Sequence, residues 1–183
     1  MAKHLILVHG RGATAESMLD IPKALGVTGL QIHAPQAPGR TWYPNSFLAP
    51  VESNQPYLDN SLRILEETLA GLPSEDVALL GFSQGACLTL EFVARNPKRY
   101  AAVMALTGGL IGLHHHRGSL EGTPVFLGSS DPDPHVPVAR VQETHRILTA
   151  LGAQVEQRLY PGMPHTICQD EIEACRKLLK ESA

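Results

Sequence analysis

At 183 residues, 43% hydrophobic and 18% charged, the chain has the size and apolar content of a single globular domain over 1–183, with a sizeable core. Its formal charge of -3 provides no basic field for nucleic acid, and no run of Lys or Arg marks an anionic membrane surface, so a small molecule is the expected partner. The three cysteines, Cys87, Cys168 and Cys175, are odd in number and lack metal-ligand spacing, which argues against a disulfide framework and for reduced thiols in the cytoplasm.

The N-terminal run Leu5 to Val8 is too short for a signal-peptide core, and no stretch approaches the ~20 apolar residues of a membrane span, so no membrane insertion is expected. His4 to Val8 instead reads as a strand buried on both faces of a parallel sheet. It runs into His9-Gly10-Arg11-Gly12, a glycine-rich turn whose backbone N–H groups would stand at the rim where α/β proteins bind ligands. The N–H of Arg11 is the natural donor to a developing oxyanion, and His9 is placed to support that loop. The Arg11 side chain is either a solvated cation or a guanidinium reaching a substrate carboxylate.

A short helix is expected over Ala15 to Leu25 and a second strand over Leu30 to Pro35. Five prolines between Pro35 and Pro56 forbid regular structure over 36–56, and a loop that long in a compact domain is usually functional. It carries Trp42, Tyr43, Phe47 and Leu48. We expect a wall or partial lid over an acyl-binding groove, with Trp42, Phe47 and Leu48 touching substrate, against the alternative of a surface loop packing its aromatics on the core. Leu58, Leu62, Leu65 and Leu69 then recur at helical spacing and form a crossover helix into the next strand.

That strand, Val77 to Leu80, leads into Gly81-Phe82-Ser83-Gln84-Gly85, and a helix follows from Ala86 to Arg95. In a strand-to-helix turn, G-x-S-x-G lifts the serine hydroxyl clear of the sheet, while its glycines remove side chains that would collide. Ser83 is therefore the candidate nucleophile. Ala101 to Leu106 reads as another strand. His114, His115 and His116 cannot all face one metal from a regular element and have no adjoining carboxylates, so no metal site is expected there.

Thr123 to Gly128 is a strand, followed by the loop that carries Asp131 and Asp133. A helix over Val138 to Leu151, a strand over Gln154 to Tyr160 and a loop ending at His165 precede the last helix, Gln169 to Lys180. A serine hydroxyl needs a base within reach, and that base needs a carboxylate to fix its tautomer. Ser83, Asp133 and His165 stand in the chain order expected of an α/β-hydrolase, with a mostly parallel central sheet flanked by helices on both faces.

Four blocks, His9-Gly10-Arg11-Gly12, Gly81 to Ala86, Asp133 to Pro137 and Tyr160 to His165, resemble the signature blocks of the phospholipase/carboxylesterase family of α/β-hydrolases. That resemblance implies hydrolysis of carboxylic esters or thioesters without a cofactor, with Ser83, Asp133 and His165 as the triad. It also implies an oxyanion hole made by the backbone N–H groups of Arg11 and Gln84. Two departures stand out. The family commonly has a hydrophobic residue at Arg11, and the acid block is stretched, so counting forward from Gly128 would select Asp131 in place of Asp133. Competing functions are a thioesterase on acyl-protein or acyl-CoA substrates, a lyase or isomerase on the same scaffold, and a binding module without chemistry. An apolar patch beside the groove could form a homodimer contact.

Overall fold

The computed structural model describes residues 2–112 and 117–181; the three consecutive histidines lie outside the described residues. Among the described residues, six strands form one wholly parallel sheet in the order β2-β1-β3-β4-β5-β6. They are β1 (His4–Val8), β2 (Gln31–His33), β3 (Val77–Phe82), β4 (Ala102–Leu106), β5 (Pro124–Asp131) and β6 (Gln154–Pro161). Five helices accompany them: α1 (Ile21–Leu25), α2 (Tyr57–Thr68), α3 (Gln84–Arg95), α4 (Val138–Ala150) and α5 (Gln169–Glu181).

Strand periodicity divides the core into two layers. In β1, Ile6 and Val8 join Leu79, Val103 and Leu127 beneath α2, α3 and α4, whereas Leu5 and Leu7 join Leu80, Met104 and Phe126 on the α1 and α5 side. Each fully buried leucine contributes about 2 kcal/mol, so a strand buried on both faces cannot tolerate the polar alternation of an edge strand. The chain leaves β1 toward β2 on one side, then crosses back through α2 to β3 on the other. The carboxyl ends of β1 and β3 therefore flank the switch point where open α/β sheets hold ligands.

Several expected elements differ in extent, and the strand expected over Leu30 to Pro35 is confined to Gln31–His33. The helix expected over Ala15 to Leu25 is divided into a 3-10 turn, Glu16–Met18, and the short α1. Pro22 has no N–H to continue a helix and is tolerated only in the first turn, where it sits. β5 extends past Gly128 through Ser129, Ser130 and Asp131, paired with Leu159, Tyr160 and Pro161 of β6.

Helix α5 opens with a buried carboxyl. Oε2 of Glu171 accepts the N–H of Cys168 at 2.9 Å, half of a capping box, while Oε1 is buried without a partner against Gly128. Burial pushes this carboxyl up to about 7 from its ordinary 4.5. The unfolded chain thus releases the proton first as pH rises, and the fold loses stability through this window before levelling off above it, by about 3 kcal/mol in all. Glu171→Gln removes the ionisation. Urea unfolding of both proteins should show the variant gaining on the wild type from about pH 5 to about pH 8; a constant difference would contradict the assignment.

Candidate active site

Ser83 joins β3 to α3 with φ 54 and ψ -119, a region that non-glycine residues rarely occupy. Neighbouring backbone leaves no room for side chains on the flanking glycines. A Cβ at Gly81 would strike the Gly85 carbonyl oxygen, and one at Gly85 would strike the carbonyl oxygen of Val8. The Ser83 N–H is tied to the Leu106 carbonyl of β4 at 3.0 Å, so the turn is braced by both neighbouring strands.

Three side chains from three strand ends meet here. His165 Nε2 lies 2.8 Å from Ser83 Oγ, and His165 Nδ1 lies 2.8 Å from Asp133 Oδ2. A carboxylate can only accept, so Nδ1 carries the imidazole hydrogen and Nε2 presents its lone pair to the serine hydroxyl. The Asp133 side chain is fully buried and satisfied at both oxygens. Oδ2 also accepts from Ser130 Oγ, while Oδ1 accepts the N–H groups of His135 and Val136 at 2.8 and 2.9 Å. Burial alone would raise this carboxyl, but the hydrogen bonds from Ser130, His165, His135 and Val136 outweigh it and hold its pKa below the ordinary carboxylate value. Asp131 is used differently: it ends β5, and its main-chain carbonyl accepts the Gly162 N–H at 2.9 Å. The imidazole takes its hydrogen-bond partner from Asp133.

The loop that brings His165 into place is held at both ends. Besides the Gly162 contact, Tyr160 Oη donates to Asp170 of α5 at 2.7 Å, and Arg158 reaches the same carboxylate at 2.8 Å. The imidazole ring packs against Phe82 at 5.3 Å and against the His135 ring at 5.0 Å between centroids.

Beside Ser83, the N–H groups of Arg11 and Gln84 donate to no partner among the described residues, and both residues line the cavity. They are free to donate to an oxygen bound there. The supporting loop is fixed by His9, which is fully buried. Its Nδ1 donates to the Gly10 carbonyl at 2.7 Å, leaving Nε2 to accept from Ala37 N and Gln36 Nε2 at 3.1 Å each.

The cavity measures about 670 Å³ and is walled by Tyr43 through Leu48 on one side and by Pro134, His135 and Val136 on the other. The prolines of segment 36–56 do not exclude all regular structure: it holds two 3-10 turns, Pro38–Arg40 and Val51–Asn54, and polar cross-links order the rest. Buried Asn54 bonds the Asn45 N–H and the Ser46 carbonyl, and Gln84 clamps the N–H of Trp42 and the carbonyl of Tyr43. Phe47 and Leu48 line the cavity.

Trp42 does not. It is buried in the core, its Nε1 donates to the His9 carbonyl at 2.8 Å, and its carbonyl accepts from Ser61 at 2.6 Å. The assignment of Trp42 to substrate binding is corrected: the indole holds the turn at His9 from the core side, and Tyr43 lines the cavity wall. The Arg11 side chain is neither solvated freely nor reaching across empty space. It donates to the carbonyls of Pro44 and Asn45 at 2.9 Å each, with its guanidinium carbon 6.0 Å from the Tyr43 ring centroid. Cys87 also lines the cavity, but burial pushes its thiol up to about 11, which keeps it protonated at neutral pH.

The chain matches the Phospholipase/Carboxylesterase family along residues 1–183. It belongs to that family. A phospholipase/carboxylesterase from Dyadobacter fermentans, known from its crystal structure, is 46% identical with a TM-score of 0.94, the match covering 98% of this chain and 90% of that one. Acyl-protein thioesterase 1 of Saccharomyces cerevisiae is 30% identical over 135 residues, 67% of this chain and 59% of its own length. The corresponding protein of Neurospora crassa is 30% identical over 125 residues, 64% and 51% respectively. The chain therefore spans between half and three-fifths of these fungal relatives. More distant solved structures share the fold, among them SOBER1 of Arabidopsis thaliana at 21% identity and a TM-score of 0.82.

Proposed function

We propose that the chain is a serine hydrolase that cleaves carboxylic esters through an acyl-enzyme, with Ser83 as nucleophile, His165 as base and Asp133 as the orienting acid. The observation that carries this reading is the continuous relay from Asp133 through His165 to Ser83, each link 2.8 Å long. Ser83 Oγ attacks the ester carbonyl carbon as its proton passes to His165 Nε2. The resulting oxyanion takes hydrogen bonds from the N–H groups of Arg11 and Gln84, each worth about 3 kcal/mol in the transition state. His165 then returns the proton to the departing alkoxide as the carbon–oxygen bond breaks. Water, activated by the same imidazole, releases the acid and restores the serine.

Phe47 and Leu48, with Tyr43 beside them, would receive the apolar part of the substrate, and nothing in this sequence of steps calls for a cofactor. The relatives named as acyl-protein thioesterases favour a second reading, in which the same relay opens a thioester. The cytoplasm is the compartment that fits best: Cys87, Cys168 and Cys175 are all free, and among the described residues no helix is long and apolar enough to cross a membrane.

Rapid mixing with p-nitrophenyl acetate should release about one equivalent of p-nitrophenolate before the steady state. Mass spectrometry of the quenched protein should find the acetyl group on the peptide carrying Ser83. A linear trace with no adduct, from folded protein, would remove the ester reading; a burst with thioesters alone would favour the second.

A further inference from the structure

Arg11 combines three properties that a bracing residue alone does not need. It lines the cavity beside Ser83, its charge is held still, and that charge is not neutralised. Its two hydrogen-bond partners are carbonyl oxygens, and among the described residues no carboxylate lies within ion-pairing distance of it. A guanidinium has five N–H groups, and the carbonyls of Pro44 and Asn45 occupy two. No Asp or Glu side chain lines the cavity, so no anion there opposes an incoming negative charge. A side chain already fixed by two hydrogen bonds and a ring contact loses little rotamer freedom when a ligand arrives.

Building on the serine-hydrolase reading, we infer that Arg11 selects esters that carry a carboxylate, by pairing its free N–H groups with that carboxylate while Ser83 attacks the ester carbonyl. Arg11, its partners Pro44 and Asn45, and Ser83 line one cavity, so a bound carboxylate and the scissile bond would share that cavity. A neutral ester of equal size would leave the remaining N–H groups of the guanidinium to solvent.

Two matched pairs test this and tell which side of the ester bears the charge. The acyl-side pair is the p-nitrophenyl monoester of glutaric acid and its methyl ester. The leaving-group pair is 4-acetoxybenzoic acid and its methyl ester. For each substrate kcat/KM is measured after subtracting the rate with Ser83→Ala, which removes the uncatalysed and intramolecular background. In at least one pair the wild type should prefer the carboxylate by about tenfold, and Arg11→Met should lower that ratio by about the same factor. Arg11→Lys should keep part of the preference, and about 0.5 M NaCl should weaken it in the wild type.

The readout is the ratio within a pair, because a change at Arg11 that merely loosens the wall would slow both members together. An unchanged ratio in Arg11→Met, or no preference in either pair for the wild type, overturns the inference while leaving the hydrolase reading intact. Failure of the wild type to hydrolyse any of the four esters overturns the ester-hydrolase reading and this inference with it.

Discussion

Ser83→Ala should lower kcat toward p-nitrophenyl esters by about 10⁶-fold, and His165→Ala should cost about as much. The double variant should lose no more than either single one. Without the base, the hydroxyl is a poor nucleophile; without the hydroxyl, the base has nothing bonded to it to activate, so each deletion disables the same step. What remains should be the contribution of the two N–H donors and of substrate binding, about 10³ to 10⁴ over water. Alanine retains the Cβ already accommodated at φ 54, so the turn keeps its conformation and thermal unfolding should be nearly unchanged. Steady-state kinetics on freshly purified variants, with circular dichroism as the folding control, measure this. A loss below about a hundredfold in Ser83→Ala would mean that another group or a directly activated water performs the attack.

The second large effect separates two neighbouring acids. Asp133→Asn should reduce kcat by about 10⁴-fold, whereas Asp131→Asn should stay within a few-fold of the wild type. All four groups around Asp133 donate: Ser130 Oγ, His165 Nδ1 and the N–H groups of His135 and Val136. Only an acceptor at both oxygens satisfies them. An asparagine must turn its NH₂ toward one side, and the two backbone N–H groups cannot turn away, so the NH₂ faces Ser130 and His165. The imidazole then accepts at Nδ1, places its hydrogen on Nε2, and cannot take the serine proton. Because the hydrogen bonds hold the Asp133 carboxyl below its ordinary range, the carboxylate persists throughout neutral pH and is lost only as pH falls through that lowered value. Comparable activity in Asp133→Asn, or a collapse in Asp131→Asn, would reverse the assignment.

The frame of the fold was legible because its signals are local. Continuous apolar runs such as Leu79 and Leu80 declare a strand buried on both faces, and the glycines around Ser83 mark a turn that other residues cannot make. The choice between Asp131 and Asp133 was not local: it depends on where β5 stops, and Ser129-Ser130-Asp131 reads as turn chemistry although it pairs with β6. For the same reason Ser130 and His135 escaped notice as neighbours of the acid and base. Trp42 fell on the wrong side of the wall because an aromatic in an irregular segment carries no periodicity to say which way it points; its burial comes from contacts with His9 and Ser61, distant in sequence. The Arg11 side chain was unreadable on similar grounds, since its partners are main-chain carbonyls, which leave no trace in residue type.

The clamp that Gln84 places on Trp42 and Tyr43 divides labour along the segment that follows. Upstream of Pro44 the chain is locked to the elbow, to His9 and, through the Trp42 carbonyl, to Ser61 of α2; downstream it re-enters regular structure at Tyr57. The residues between, which shape the cavity wall, are held chiefly to one another and to Arg11. Such an arrangement behaves as a cassette: its contents can be exchanged, lengthened or trimmed to suit another acid or alcohol while the reacting groups keep their positions.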